Sequence, residues 1–131
     1  DLNGFIGINV QGGENSTVHH NTISGLTVNS TTTSTNTTMI VGVYNENGST
    51  IGNSINDNLI YNIGVPSTYA NSAVTLGIYS SDFDPNNLLK TYNNRIDSIV
   101  SSHDGLTVGI ANDNGSKQII YNNFINNKTI L

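Results

Sequence analysis

Phe5-Ile6-Gly7-Ile8-Asn9-Val10 decides the reading of this chain, because its pattern returns three times. The later copies are Ile40-Val41-Gly42-Val43-Tyr44-Asn45, Thr75-Leu76-Gly77-Ile78-Tyr79-Ser80 and Thr107-Val108-Gly109-Ile110-Ala111-Asn112. Each has an aliphatic residue, a glycine, then Ile or Val, and the glycines are 35, 35 and 32 residues apart. A second signal follows every copy: Asn21-Thr22-Ile23, Asn58-Leu59-Ile60, Asn94-Arg95-Ile96 and Asn123-Phe124-Ile125. A period in this range means supersecondary units stacked in one dimension, each burying its apolar face on the next.

Within a unit the signals are those of short strands. Ile6, Ile8 and Val10 alternate with Gly7, Asn9 and Gln11, so strict alternation puts the aliphatic residues inside and the glycine outside. Val41 and Val43, Leu76 and Ile78, and Val108 and Ile110 extend this into two internal columns, with about 4.8 Å per step. Turn residues follow: Gln11-Gly12-Gly13-Glu14, Glu46-Asn47-Gly48-Ser49 and Asp113-Asn114-Gly115-Ser116. The third unit has a longer loop instead, Ser81-Asp82-Phe83-Asp84-Pro85-Asn86. Second strands are expected at Ser16-Thr17-Val18, Thr50-Ile51, Leu88-Leu89 and Gln118-Ile119-Ile120. The recurring Asn is expected to turn the chain, since Asn tolerates the left-handed conformation. Its amide can also bond the Asn of the next coil. Leu26, Ile63 and Ile99 stand three residues beyond the Asn-x-Ile isoleucines, which predicts a bend. Asn53-Ser54-Ile55 also fits Asn-x-Ile and leaves the register of the second unit open. Polar connections over 27–40, 64–75 and 100–107 close the units, and no stretch sustains a helical period.

Composition narrows the function classes. The net charge is −5, and Lys90, Arg95, Lys117 and Lys128 are the only Lys or Arg. Nucleic-acid binding needs a basic stripe that displaces counterions, and none exists here. No apolar run approaches the roughly 18 residues that span a bilayer. Membrane insertion and nucleic-acid partners are therefore not expected. There are no cysteines, which excludes disulfides and Cys metal sites. The chain opens on Asp1-Leu2-Asn3-Gly4-Phe5 and stops at Lys128-Thr129-Ile130-Leu131, and neither end reads as a polar cap. Residues 1–131 are read as a single segment of a longer protein.

The Gly-Ile strands, the Asn turn and the Tyr-Asn-Asn-x-Ile phrase at Tyr92 and Tyr121 resemble the right-handed parallel β-helix of the pectate-lyase-like superfamily. The resemblance covers essentially the whole chain. It implies an all-β solenoid of about three and a half coils, with three short strands per coil and long polar connections. That superfamily includes polysaccharide lyases and hydrolases, phage tailspikes and large secreted adhesins. The Asn/Ser/Thr-rich coils are similar to repeats of bacterial cell-surface proteins, which implies an extracellular or cell-surface location.

Three groups of residues invite a functional reading. Glu14, Glu46, Asp82, Asp84 and Asp113 fall at or near the first turn and outline an acidic edge, where Glu46, Asp82, Asp84 and Asp113 are candidates for a weak calcium site. Calcium takes six to eight oxygens, and acidic residues are also ordinary in exposed turns. No other cofactor is expected. Arg95, the only arginine, is distant in sequence from these acids, so a lyase-like acid–base pair is not evident. His19 and His20 are adjacent and His103 is remote, without metal-ligand spacing. The third group is the face carrying Gly42, Gly77, Asn9, Tyr44 and Tyr79. There, two tyrosines beside a glycine trough would hold a sugar ring, unless a loop or neighbouring domain fills the trough. The expected role is a structural, adhesin-type segment with carbohydrate contact, its partners being glycans or neighbouring β-helix coils. The alternatives are a non-catalytic fragment of a polysaccharide lyase or glycoside hydrolase, or a tailspike segment.

Overall fold

The computed structural model describes residues 3–13, 15–28, 38–47, 51–65, 72–82, 84, 86–102, 105–113 and 117–126. The first coil contains β1 (Asn3–Gln11), β2 (Thr17–His19) and β3 (Thr22–Ser24). The second contains β4 (Thr38–Asn47), β5 (Ile51–Asn56) and β6 (Leu59–Gly64). The third contains β7 (Ala73–Asp82), β8 (Leu88–Tyr92) and β9 (Arg95–Val100), and the fourth β10 (Leu106–Asp113), β11 (Lys117–Tyr121) and β12 (Phe124–Asn126). Equivalent strands of successive coils pair in parallel, giving three four-stranded sheets, β1-β4-β7-β10, β2-β5-β8-β11 and β3-β6-β9-β12. The chain is a right-handed parallel β-helix, the hand that parallel crossovers almost always take. No helix occurs among the described residues.

The expected columns form, with one correction. Ile8 pairs with Val43, Val43 with Ile78, and Ile78 with Ile110. Ile23, Ile60, Ile96 and Ile125 align likewise in the third sheet. Val43, Ile78, Ile60 and Ile96 are fully buried in one core. The glycines, however, face inward. A Cβ on Gly7 would lie 2.7 Å from Ile23 Cγ2, and one on Gly42 or Gly77 would lie 2.8 Å from Ile60 or Ile96 Cγ2. On Gly109 it would meet Ile125 Cγ2 at 2.5 Å. Glycine and the aliphatic residue after it thus both point to the core, and the alternation slips by one at the dipeptide. Ile6 and Val41 consequently face outward, where they line an exterior groove with Gly4, Met39 and Tyr44. The slip explains why the two sequence signals travel together. Each third-strand isoleucine packs so close to the first strand of its own coil that only hydrogen fits opposite it.

The corners also differ from expectation in one detail. The left-handed residues are His20, Asp57, Asn93 and Asn122, with φ between 53° and 55°, each immediately before the recurring Asn. Freed from turning the chain, that Asn builds a ladder. Asn21 Nδ2 donates to Asn58 Oδ1 at 3.0 Å, Asn58 Nδ2 to Asn94 Oδ1 at 2.9 Å, and Asn94 Nδ2 to Asn123 Oδ1 at 3.0 Å. Each acceptor oxygen also takes the backbone N–H of the preceding coil's Asn. The second-unit register is settled by this ladder: Asn58 is the ladder residue, and Ile55 lies in β5 opposite Val18 and Thr91. The predicted bend is present. Gly25, Asn62 and Ser98 have φ of 71°, 51° and 53°, and the turn swings Leu26, Ile63 and Ile99 onto the core. Most of the first two long connections, including the Ser/Thr tract at 29–37 and the segment 66–71, lies outside the described residues, as do Glu14 and His103.

Candidate functional site on the outer face of the first sheet

Because β4 and β7 pair in register, Tyr44 lies directly opposite Tyr79 on adjacent coils. Their rings stack at 5.3 Å with 11° between planes. Asn9 pairs with Tyr44 on the coil above, and Ala111 with Tyr79 on the coil below. Two residues further on, Gln11, Glu46, Ser81 and Asp113 form the next column. Gln11 Nε2 donates to Glu46 Oε2 at 3.3 Å, and Tyr79 Oη donates to Asp113 Oδ2 at 3.3 Å. Partial burial pushes both phenols above their ordinary pKa, and a neighbouring carboxylate adds to it, Glu46 for Tyr44 and Asp113 for Tyr79. The rings cover one another, so Tyr44 presents its free face towards the first coil. There it borders a shallow groove of about 180 Å³ with Gly4, Ile6, Met39 and Val41.

The structure therefore unites Tyr44, Tyr79, Asn9, Glu46 and Asp113 on one face. It removes Gly42 and Gly77 from that face, since both are turned to the core. What stands beside the tyrosines is the aliphatic column of Ile6, Val41, Leu76 and Val108, displaced outward by the slip at glycine, of which Ile6 is exposed while Val41 and Leu76 are buried. Asp82 occupies the next column in the backbone register, opposite Asn47. Asp84 belongs to its own turn, where Oδ1 accepts from the Asn86 backbone N–H at 2.8 Å and from Asn86 Nδ2 at 3.0 Å. Among the described residues no group of three acidic or histidine side chains converges. Glu46 and Asp113 are separated by Ser81 in their column. The His19 and His20 rings meet edge to face, with their Nδ1 atoms 2.7 Å apart.

A second exterior site escaped sequence reasoning. Arg95 does have a partner: Nη2 lies 3.3 Å from Asp97 Oδ2, and its guanidinium sits 5.4 Å from the Phe124 ring centre. Asp97 also accepts from Ser98 Oγ at 3.2 Å and Asn126 Nδ2 at 3.0 Å. The hydrogen bond from Arg95 leads the causes that hold the Asp97 carboxyl below its ordinary pKa. Leu59, Tyr61, Arg95, Asp97 and Ser98 line an open groove of about 370 Å³ on the third sheet. The signal was present in the residues flanking each Asn-x-Ile isoleucine, which alternation places outside. Leu59 with Tyr61, Arg95 with Asp97 and Phe124 with Asn126 are those flanks.

No family model, curated protein or solved structure matches this chain. Its chemistry is thus read from the two faces alone. Aromatic rings with hydroxyl tips beside carboxylates and amides offer apolar contact together with hydrogen-bond donors and acceptors, a combination that suits polyhydroxylated ligands.

Proposed function

We propose that the protein is a stiff structural segment of an extracellular or cell-surface protein, of adhesin type, which contacts carbohydrate through the outer face of its first sheet. The observation that carries this reading is the parallel stacking of three sheets over four coils, interrupted only by a bulge at Ile51–Asn53 among the described strands and locked by the Asn ladder. A rod of this kind holds whatever is attached to its ends at a fixed separation. The stacked Tyr44 and Tyr79, with Glu46 and Asp113 beside them, supply the contact surface. Immobilised glycans offered to the purified protein test the second half of the proposal. Retention of a glycan, perturbation of both tyrosines' NMR signals on titration and weaker binding by Tyr79→Ala are expected. Failure to retain any glycan refutes the contact role. Turnover of polygalacturonate or another acidic glycan, with or without calcium, refutes the structural reading and restores the lyase alternative. Stretching single molecules from both ends tests the rod: one cooperative rupture is expected, and coil-by-coil release at low force counts against it.

A further inference from the structure

We propose that His19 and His20, at the corner between the second and third sheets, hold a divalent copper ion. Successive residues of a strand point to opposite faces, so a vicinal pair inside a strand cannot share an ion. Here β2 ends at His19, and His20 takes a left-handed φ of 55°. That corner folds the second ring back onto the first. The rings meet at 4.9 Å with 80° between their planes, and the two Nδ1 atoms are 2.7 Å apart. Both residues are exposed, so an ion reaches them from solvent. The separation selects the ion. An imidazole nitrogen binds a first-row divalent metal at about 2.0 Å. Two such ligands at a right angle stand about 2.8 Å apart, and two at the tetrahedral angle about 3.3 Å. The observed 2.7 Å fits neighbouring corners of a square-planar ion, the geometry that copper(II) and nickel(II) take with nitrogen and oxygen donors. Copper(II) binds the tighter of the two. At 2.7 Å one ring donates its Nδ1–H to the other. Copper takes the place of that proton, which passes through solvent to Nε2 of its own ring, and two neutral imidazoles then face the ion.

The second coil completes the surroundings. His19 stands opposite Asn56 in the register of β2 and β5. Asp57 occupies the same corner of the second coil as His20 does in the first, with φ of 54°. Neighbouring strands are about 4.8 Å apart, so the Asp57 carboxylate supplies countercharge to the ion. Both histidines already act on that carboxyl, adding to the hydrogen bonds from Asn56 and Asn93 that hold it below its ordinary pKa. Asn56 is only 7% exposed. Its Nδ2 donates to Asp57 Oδ2 at 2.6 Å, whereas its Oδ1 is buried and has no donor among the described residues. A buried acceptor without a donor is a place where an ordered water or ion belongs, and this one stands in the column of His19. Among the described residues no third histidine or carboxylate converges on the pair, so water fills the remaining positions and the ion exchanges with solvent. The site is built by the outer flank of the first two coils. It needs no open end of the solenoid, and it stands apart from the glycan contact on the first sheet.

Titration of the 131-residue chain with copper(II) sulfate, in the presence of glycine as a weak competitor, tests the site by calorimetry and electron paramagnetic resonance. One ion per chain, with nitrogen hyperfine splitting from two imidazoles, is expected. His19→Ala and His20→Asn should each weaken binding by at least the roughly tenfold that loss of even an outer partner costs. Asparagine keeps the left-handed corner, as it does at Asn93 and Asn122, so His20→Asn removes the ligand and leaves the fold. His103→Ala should leave binding unchanged, and zinc should bind more weakly than copper. The proposal is overturned by the absence of a saturable site, by binding that survives undiminished in either His19→Ala or His20→Asn, by its loss in His103→Ala, or by zinc competing on equal terms.

Discussion

Gly77 has no room for a methyl group. An added Cβ would lie 2.5 Å from the carbonyl oxygen of Gly109 and 2.8 Å from Ile96 Cγ2. Gly77→Ala should therefore destabilise the fold by about 1–3 kcal/mol through overpacking, read from urea unfolding. Ile78→Ala, at a fully buried position, should cost about 2–5 kcal/mol through the cavity it leaves. Similar losses from adding a methyl at Gly77 and from truncating Ile78 would be the signature of two consecutive inward positions. Tyr44 and Tyr79 make a different residue-scale prediction. Both phenols are raised above 10.0, chiefly by burial. Their folded form holds its proton longer than the unfolded form, so stability is full below pH 10 and falls as pH climbs through the raised values. Phenolate absorbance should show a late-titrating component that shrinks in Tyr44→Phe and Tyr79→Phe. The glycines were legible in the sequence, but their face was not. Strict alternation assumes a regular strand, and nothing in the composition of Leu76-Gly77-Ile78 announces that the phase slips there.

At the scale of the element, the ladder is the most exposed to test. Asn94 is 1% exposed and serves several partners at once. Its Oδ1 accepts from Asn58, and its amide donates to Asn123 Oδ1 and to the carbonyls of Ile55 and Tyr92. Asn94→Ala orphans these groups at roughly 1–3 kcal/mol for each one left buried. The loss, measured by thermal or urea unfolding, should exceed that of Asn123→Ala at the more accessible end. The ladder could be foreseen because the Asn amide both donates and accepts from separate atoms, and it recurs at the coil period. The turn could not be located to the residue. His20, Asp57, Asn93 and Asn122 are three different residue types. A left-handed backbone is demanded there by the geometry of the corner, and His, Asp and Asn are the non-glycine residues that accept it most readily, but they are too common in this chain to mark the position. The Arg95–Asp97 groove went unseen for a related reason. Its residues lie on neighbouring strands separated by about one coil of sequence, and only the parallel register brings Tyr61 and Leu59 beside them.

For the whole molecule, stability should be graded along the axis. Core residues of the second and third coils are buried, whereas Ile119, Ile120, Tyr121, Phe124 and Ile125 are exposed. In the 131-residue chain taken alone, amide exchange is therefore expected to be fastest in β10, β11 and β12 and slowest in β4 to β9. Acid should weaken the fold as well. Asp57 is held below its ordinary value of 3.8 first by a hydrogen bond from Asn56, and Asp97 first by one from Arg95. Depressed carboxyl pKa values contribute stability that is present above the unfolded value and is lost as pH falls through the lower folded values. The urea midpoint should drop as acid is added below about pH 4, and Asp97→Asn should flatten that dependence.

A Cβ on Gly7, Gly42 or Gly77 would meet the carbonyl oxygen of the next coil's glycine at 2.7, 2.6 and 2.5 Å, so these inward positions lean towards later coils, with a consequence for biosynthesis. A nascent chain leaves the ribosome with its first coil complete in sequence but without the floor on which Val18 and Ile23 rest. That floor is supplied only when Ile55 and Ile60 emerge. Each coil is finished by its successor, so acquisition of structure should trail translation by one period of the repeat, and translation arrested within a coil would leave the preceding one unsealed.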